Sequence, residues 1–381
     1  MKISVIGPTY PYKGGISHYN TVLCQNLMKK HKVDVISFKR QYPKLLYPAE
    51  SQKDLESKEK IDVKSNELID SLNPFTWFKV AKRIKKFKPD IVLFYWWTPY
   101  FTFNFYTISC LVKKNSNAKV VFLCHNVMPH EKSFLDRMLT KIGLSKGDYF
   151  IVHAKSEKKN LLKIFPRAKV INHVHPTYEI FKEKNIEEDL SYLKLRKKII
   201  LFFGFVRDYK GLVYLLRAMP ALIKKYNDLD LLIVGEFWRK AGEIWTKEKY
   251  VDEIKKLKIE SHVKIIDKYI PNENVGNYFN IADVCVLPYL SGTNSGIVQT
   301  AFGFKKPVIV TGVGGLPEVV LDKKTGLVIK RENSDEIFKA VSYFYDNNKK
   351  EEFIKNIIKD KNRFSWDKLI KILEDIKDSK D

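Results

Sequence analysis

Short apolar runs alternate with amphipathic segments along the whole chain. In the first half, β-branched and aromatic runs predict strands over residues 2–6, 33–38, 91–96, 120–123, 149–152 and 169–171. Segments with the 3.6-residue period of helices lie between them, at 16–30, 75–88, 132–143 and 156–165, and residues 51–71 form a polar excursion. Strands that alternate with helices are typical of parallel βαβ units.

The same pattern restarts in the second half. Strands are predicted over residues 199–203, 229–234, 263–266, 284–287 and 308–311, and helices over 211–225, 248–257, 272–281, 295–304 and 335–347, the last with Ser334 as its N-cap. Because 381 residues exceed what one core usually holds, we expect two doubly wound α/β domains that face each other across a cleft. The expected boundaries are 1–176 and 177–360, with a C-terminal helix in 361–381 that crosses back onto the first domain.

One uncharged stretch, residues 91–112, is long enough to span a bilayer. Its first residues favour a strand and Thr98-Pro99 breaks the run, so strand, loop and helix is the better interpretation. The N-terminus lacks the long apolar core of a signal peptide. The four cysteines include no CxxC pair, which indicates neither a zinc site nor a disulfide framework and suits a reducing cytosol.

The formal net charge of +24 is unevenly distributed, because residues 1–175 carry +18 and residues 176–381 carry +6. A basic half suggests an anionic partner such as a phospholipid surface, a lipid-linked phosphate or a nucleic acid; the alternative is ordinary solvated lysines. Residues 73–88 mix Phe75, Trp77 and Phe78 with six Lys and Arg. This helix either lies on an anionic membrane or packs on the sheet as a crossover helix. No helix-turn-helix, zinc or RNA-binding pattern supports nucleic acid.

Two glycine-rich loops in the second half each lead into a helix. Residues 291–296, SGTNSG, have no bulky side chain, and residues 312–315, GVGG, follow about twenty residues later. Unpaired N–H groups at a helix start and the helix dipole bind phosphate-type anions, and glycine permits the close approach that this needs. Two such loops so close together predict a site for a ligand that carries a diphosphate.

Two further turns are candidates for the same chemistry. Residues 204–211, GFVRDYKG, place Arg207 and Lys210 on one turn, where two cations would stabilise a departing diphosphate. The alternative is a pair of solvated surface charges. Residues 7–15 enter a helix through Gly14 and Gly15, but without the GxGxxG pattern, so a plain βα turn is the alternative there.

Polar residues at other strand ends are weaker candidates. His125 follows a buried strand and could bind a sugar hydroxyl or move a proton, whereas a structural role is the alternative. His175, at the domain connection, is better explained as structural. The remaining candidates are Tyr12, His130 and Glu131 on the acceptor side, Gly235-Glu236 at a strand end, and Tyr269-Ile270, which could meet a nucleobase.

In this order the motifs resemble those of retaining nucleotide-sugar glycosyltransferases of family 4, which have the GT-B fold of two Rossmann-like domains. The resemblance covers nearly the whole chain, and further matching segments are 282–284, 295–301, 307–309 and 314–318. It implies that Arg207 and Lys210 hold the donor diphosphate and that His125 lies near the transferred sugar, as the catalytic set. The implied donor-binding residues are Gly14, Gly15, Gly204, Glu236, Tyr269, Ile270, Thr293, Asn294, Ser295, Gly296, Gln299, Thr300 and Glu318.

The chain departs from the family at the donor loop. Family members commonly have two glutamates eight positions apart, the second of which usually holds the donor ribose, but this chain has Gly292 and Thr300 there. Thr300 or Gln299 would have to replace the second glutamate through a single hydrogen bond. The arginine common after the first glycine of 204–211 is Phe205 here, and Arg207 would take its place.

The resemblance implies a hexosyltransferase-type enzyme that retains the anomeric configuration without a metal or other cofactor. Its expected partners are a nucleoside diphosphate sugar and a glycan or lipid-linked acceptor, in cell-surface polysaccharide or glycolipid synthesis. We expect it in the cytoplasm or peripheral on the inner face of the cell membrane. Because the glutamates are missing, a non-catalytic sugar-nucleotide-binding protein stays open, as does a sugar-nucleotide epimerase on the same fold. A phosphorylase would need a cofactor lysine that the sequence does not indicate.

Overall fold

The computed structural model describes residues 1–43, 51–58, 60–61, 63–128, 134–178, 190–238 and 244–379. The chain divides into two compact units. Unit 1 comprises Met1–Leu55, Lys60–His175 and Ser365–Asp381, and unit 2 comprises Glu56–Glu59 and Pro176–Phe364. Each unit is built on one parallel β-sheet with helical connections.

In the described part of unit 1, seven strands form a sheet in the order β3-β2-β1-β4-β5-β6-β7. These strands are β1 (Lys2–Ile6), β2 (Lys32–Arg40), β3 (Ser65–Asp70), β4 (Ile91–Trp96), β5 (Lys119–Cys124), β6 (Tyr149–Val152) and β7 (Lys169–Asn172). The helices are α1 (Gly15–Met28), α2 (Pro74–Phe87), α3 (Thr102–Asn115), α4 (Phe134–Leu144), α5 (Lys155–Ile164) and, at the C-terminus, α13 (Trp366–Asp378). All six side chains of β4 are buried, as in parallel strands covered on both faces.

Within the described residues of unit 2, six strands form a sheet in the order β10-β9-β8-β11-β12-β13. They are β8 (Lys198–Phe203), β9 (Leu229–Val234), β10 (Val263–Ile266), β11 (Val284–Leu287), β12 (Val308–Thr311) and β13 (Gly326–Ile329). The helices are α6 (Leu212–Lys225), α7 (Lys247–Lys256), α8 (Val275–Ile281), α9 (Gly296–Gly303), α10 (Leu316–Val319), α11 (Ser334–Asp346) and α12 (Lys349–Asp360).

In each sheet the strand order reverses at the strand that comes first in the sequence, β1 in unit 1 and β8 in unit 2. β1 pairs with β2 on one side and β4 on the other, and β8 pairs likewise with β9 and β11. Ligands of open parallel sheets bind at the carboxyl ends of strands next to such a reversal. The topology therefore brings together the turns that follow β8, β9 and β11 in unit 2.

Some elements differ from the sequence prediction. β3 lies inside the segment that the sequence indicated as a polar excursion, and β13 and α12 were not predicted. β3 and β13 are short edge strands, and in β3 Ile69 is the fully buried side chain, so neither has a strong alternating pattern. Ser334 is not the N-cap of α11, because the Asn333 side chain accepts the N–H of Glu336 at 3.0 Å.

The uncharged stretch 91–112 folds as predicted, into β4, a 3-10 turn at Pro99–Phe101 and most of α3. Across the described ranges, no helix has both the length and the apolar character that crossing a membrane requires. The C-terminal helix α13 packs within unit 1, where Lys119 Nζ donates to the carbonyl of Ile376 at 2.9 Å.

Candidate functional site

Lys210 lies at the turn between β8 and α6 in unit 2. Its side chain is buried, with the residue 6% exposed, and its Nζ lies 5.8 Å from the centre of the Tyr289 ring. Burial, together with the nearby Arg207 charge, lowers the pKa of the Lys210 ammonium to about 7. In the part of the chain that the structure describes, no carboxylate forms an ion pair with Lys210. A buried lysine of this kind is short of a negative partner.

Arg207 precedes Lys210 on the same turn and is held by aromatic rings. Its guanidinium carbon lies 4.9 Å from the centre of the Trp238 ring and 5.2 Å from that of Tyr209. Such cation–π contacts restrict the side chain and hold its guanidinium at this turn. The structure thus places both predicted cations at the carboxyl end of β8. Trp238 and Tyr289 have no local sequence pattern that would single them out.

Glycines make this turn possible. Gly204 and Gly211 have φ angles of 92° and 67°, in the region that favours glycine. A Cβ at Gly211 would lie 2.1 Å from the carbonyl oxygen of Pro288, which precedes the donor loop. Gly204 and Gly235 meet equally closely, because a Cβ at Gly235 would lie 2.4 Å from the Gly204 oxygen. The turns after β8, β9 and β11 are therefore in direct contact.

The loop 291–296 enters α9 through a side-chain cap. Ser295 is the N-cap, and its Oγ accepts the N–H of Val298 at 3.4 Å. The second loop clamps the first, since Gly315 N–H donates to the Thr293 oxygen at 2.7 Å. Both polar atoms of the Asn294 amide are buried without a hydrogen-bond partner among the described residues. Buried unpaired polar atoms are rare, so this amide is suited to a bound ligand.

The two helix starts are not equivalent. Gly296 opens α9, a helix of eight residues, whereas the loop 312–315 opens α10, which has four. A four-residue turn has little macrodipole. The first loop therefore has the stronger helix dipole, and anion binding at either loop stays a prediction. Glu318 forms part of the short second turn and donates its N–H to the Gly315 carbonyl.

The residues at the positions of the missing glutamates are engaged in different ways. Thr300 Oγ1 donates to the carbonyl of Gly296 at 3.0 Å, so this hydroxyl proton is already used within the helix. Gln299 is 1% exposed, and its Oε1 has no partner in the described ranges. The backbone of Gly292 is approached closely by Gly314, where a Cβ would lie 1.8 Å from the Gly292 oxygen. Neither position supplies a carboxylate.

The remaining donor-side candidates lie at neighbouring strand ends. The Glu236 carbonyl accepts the N–H of Val206 at 3.0 Å, which fixes the turn after β9 beside that after β8. Ile270 is buried, directly after Tyr269 in the loop that follows β10. These contacts place both segments at the same edge of the sheet.

In unit 1, Gly14 is the N-cap of α1 with a φ of 110°, and a Cβ at Gly14 or Gly15 would meet nothing within 4 Å. Open space at the start of a fourteen-residue helix is compatible with an anion. Tyr12 is different: its ring is buried and its hydroxyl donates to the Phe38 carbonyl at 3.0 Å. Tyr12 thus packs within unit 1, and its acceptor contact stays a prediction.

His125 lies directly after β5. The backbone N–H of His125 donates to the Trp96 carbonyl at 2.8 Å. Its ring stacks on that of Tyr95, with centroids 5.7 Å apart. Burial, together with the neighbouring His175, lowers the pKa of the His125 imidazole to about 3. The two predicted neighbours, His130 and Glu131, lie outside the described residues. Among those described, no group of three or more His, Cys, Asp or Glu is arranged to hold a metal ion.

Comparison with protein families gives two matches. The model of Glycosyltransferase Family 4 matches residues 13–176, and that of Glycosyl transferases group 1 matches residues 183–360. The two matches together account for most of the chain.

Curated relatives are distant. An uncharacterized glycosyltransferase of Methanocaldococcus jannaschii is 24% identical over 97% of this chain and 96% of that protein. The D-inositol 3-phosphate glycosyltransferase of Corynebacterium diphtheriae is 26% identical over 52% of this chain and 48% of that protein. The chain thus spans about half the length of this second relative.

Solved structures show the same fold. The sucrose-phosphate synthase from Thermosynechococcus elongatus has a TM-score of 0.72 at 16% identity, covering 99% of this chain and 98% of that one. Anabaena HepE in complex with UDP has a TM-score of 0.74 at 15% identity, covering 99% of both chains. At this identity the likeness shows the fold alone, a two-domain α/β GT-B fold.

Proposed function

Because the chain belongs to the group 1 and family 4 glycosyltransferases, we propose that it transfers a hexose from a nucleoside diphosphate sugar to a hydroxyl acceptor. The environment of Lys210 is the observation that supports a donor of this class. Its ammonium is buried, its pKa is lowered to about 7, and it has no carboxylate partner in the described part of the chain. A bound diphosphate would supply that negative partner and restore the charge of the lysine.

The donor would lie on unit 2. Arg207 and Lys210 would hold the phosphates, as charge builds up on the departing nucleoside diphosphate. The N–H groups at the start of α9 and the Asn294 amide would complete the contacts. Structural neighbours of this fold have been solved with UDP and with UDP-glucose, which makes uracil the first base to test. The Tyr269–Ile270 segment would face the base.

The chemistry would fall to His125 and the two cations. We propose that His125 contacts the transferred sugar and that the anomeric configuration is retained, as in the family that the sequence resembles. The charge on the leaving group would be balanced by Arg207, Lys210 and the α9 dipole, so the proposed reaction needs no metal. The anomeric configuration of the product, read from its proton coupling constants, tests retention.

A donor screen tests the function itself. Calorimetry with UDP, GDP, ADP and dTDP should identify one nucleoside diphosphate that binds, and its glucose, galactose and N-acetylglucosamine forms should then yield hydrolysis or transfer products by mass spectrometry. Binding without any product would favour a non-catalytic sugar-nucleotide-binding protein, and an epimerised donor would favour an epimerase. If none of the diphosphates binds, the proposed donor site is wrong.

The acceptor proposal rests on α2 in unit 1. Trp77, Val80 and Ile84 form its buried face, whereas Phe75 and Phe78 are 78% and 53% exposed beside exposed lysines. No acidic residue occurs in α2 or α3. Exposed phenylalanines among lysines fit the interface of an anionic bilayer. We therefore propose a lipid-linked acceptor that is used at the inner face of the cell membrane.

Vesicle binding decides the membrane part of this proposal. The protein should sediment with vesicles that contain 30% phosphatidylglycerol at low salt, but not with phosphatidylcholine alone, and less at high salt because surface charges are screened. Replacing both Phe75 and Phe78 with Ser should weaken binding by about tenfold or more, given the transfer energy of two buried aromatic rings. Ile358→Ser, at an exposed apolar position on α12 of unit 2, is the matched control. Equal binding by both variants would contradict the assigned surface.

A further inference from the structure

Histidines cluster at the carboxyl ends of three adjacent strands in unit 1. His125 follows β5, His153 follows β6, and His175 lies just beyond β7, while the sheet order places these strands side by side. Tyr19 from α1 lies among them, with its ring centre 4.7 Å from His125, 5.3 Å from His153 and 4.7 Å from His175. These four residues are called the imidazole cluster below.

The cluster fixes the His125 ring from several directions. The ring meets Tyr19 edge to face at 88°, and its centre lies 5.4 Å from that of His153 and 6.2 Å from that of His175. Tyr95 stacks on the ring as well, and the backbone of His125 is held by Trp96. A ring packed on this many sides has little freedom to rotate.

A hydrogen bond determines which ring nitrogen of His153 carries the proton. Its Nδ1 lies 2.8 Å from the His173 carbonyl oxygen, which accepts only, so Nδ1 carries the proton and Nε2 of the neutral ring keeps a lone pair. The Nε2 atoms of His125 and His153 are both buried without a hydrogen-bond partner among the described residues. A proton added at either Nε2 would therefore have no acceptor among these residues.

The surroundings oppose protonation throughout the cluster. Burial lowers the pKa of His125 and of His153, and the neighbouring imidazoles add to the effect, chiefly His175. Burial lowers the pKa of His173 to about 4, with a further contribution from the Lys368 ammonium. Backbone hydrogen bonds to His173 and Ser365 raise the pKa of His153 and His173, respectively, but burial outweighs them.

We infer that Tyr19, His153 and His175 are positioning residues that hold the His125 imidazole in one orientation and keep it uncharged beside the transferred sugar. This inference rests on the proposed function, because it requires the sugar to lie at His125. Glycosyl transfer passes through a transition state with positive charge at the anomeric carbon. A nearby imidazolium would oppose that charge, whereas a neutral imidazole can hydrogen-bond a hydroxyl without that cost.

Two variants of Tyr19 separate positioning from simple packing. Tyr19→Ala should admit water next to His125 and raise its pKa by at least about one unit, towards the ordinary value near 6.5. Tyr19→Phe keeps the ring and should leave the titration unchanged. The His125 signal, assigned through His125→Gln, is followed by NMR of histidine-labelled protein between about pH 4 and pH 8, a range that spans the ordinary value. His175→Gln, which removes a neighbouring base, is the second variant if Tyr19→Ala fails to fold.

Kinetics then show whether the cluster acts on the reaction. Tyr19→Ala should lose kcat by about tenfold for each pH unit below the new pKa, with donor KM little changed, while the unmodified protein and Tyr19→Phe keep their activity there. An unshifted His125 titration in a folded Tyr19→Ala protein overturns the inference. The inference is also overturned if the His125 titration shifts but the dependence of kcat on pH at acid pH stays unchanged. If the unmodified protein transfers no sugar from any donor, the proposed function fails, whatever the titration shows.

Discussion

The two units have the same kind of parallel sheet but opposite chemistry at their strand ends. In unit 1, β5, β6 and β7 are followed by imidazoles packed around Tyr19, and burial lowers the pKa of His125 and of His153. In unit 2, β8 ends in a glycine turn with Arg207 and a buried lysine, and β11 ends in a small polar loop. The fold thus supplies two equivalent edges, and the residues placed there differentiate them.

The net charges of the two halves of the chain do not follow the charges at their strand ends. Residues 1–175 carry +18, yet their strand-end groups are neutral bases, and the excess resides largely on exposed lysines such as those of α2. Residues 176–381 carry +6, but they contain the buried cation of the candidate site. The surface charge of unit 1 would serve an anionic membrane, whereas the buried charge of unit 2 would serve a diphosphate.

Of the predicted effects, lowering the pH should produce the largest difference between the stabilities of the two units. His18, His125 and His173 have folded pKa values of about 4, 3 and 4, below the ordinary 6.5 and mainly because of burial. The unfolded state then binds more protons below pH 6.5, so the unfolding free energy of unit 1 falls as the pH falls. The loss is on the order of 2 kcal/mol for each imidazole between about pH 6.5 and pH 5.

Hydrogen exchange at pH 7 and pH 5, read on peptides from β5–β7 and from β8–β11, measures this difference. Unit 2 should change less, because Lys210, with a pKa lowered to about 7, is largely protonated in both the folded and the unfolded state below pH 7, so its effect on stability is nearly constant there and varies only at higher pH. The carboxylates of Asp228 and Asp346, whose pKa values are lowered from 3.8, titrate below this range. Equal loss of protection in both units would contradict the neutral cluster.

Lys210→Ala tests the unit 2 half of the comparison. Loss of the buried ammonium should reduce transfer by ~10²-fold or more, the scale of one key electrostatic donor. Lys224→Ala, at an exposed lysine on α6, removes the same formal charge and should leave the rate nearly unchanged. Initial rates at saturating donor provide the measurement. Activity within about threefold of the unmodified protein would remove Lys210 from the catalytic set, being far below that scale.

Much of the fold follows from the sequence for a physical reason. The observed bounds of seven strands coincide with the predicted ones, namely those of β1, β4, β6, β9, β10, β11 and β12. Strands such as β4 and β9 are short apolar runs that are buried throughout, and punctuated runs of this kind have few alternative structures. β3 was missed because an edge strand buries little, and α12 because no strand followed it to complete a βα pattern.

The candidate sites were less predictable. The positions of Arg207 and Lys210 on one turn were evident, but the burial of Lys210 depends on Tyr289 and on the close contact between Gly204 and Gly235. Tyr19 had no local signal, since a tyrosine in a helix is ordinarily a packing residue. His175 appeared structural from its position, yet it contributes to the electrostatics of His125. Long-range packing creates these properties, and local patterns do not encode it.

The smallest expected effect concerns the clamp between the two glycine loops, a device that unit 1 lacks in its described residues. Gly314 has a φ of 53°, and a Cβ there would lie 1.8 Å from the Gly292 oxygen. Gly314→Ala should displace the loop 291–296 and weaken binding of the nucleoside diphosphate by roughly tenfold, within the 1–3 kcal/mol cost of local strain. The displacement would act through the contact between Gly315 N–H and Thr293.

Gly312→Ala is the matched control for this prediction, because a Cβ at Gly312 would meet its nearest atoms at 3.7 Å, an ordinary contact distance. This variant should bind the diphosphate within about twofold of the unmodified protein, as a substitution without strain or lost contacts. Calorimetric titration of both variants with the same nucleoside diphosphate gives the ratio. If Gly314→Ala folds and binds as tightly as Gly312→Ala, the loop 291–296 does not contact the donor, and recognition in unit 2 falls to the Arg207–Lys210 turn.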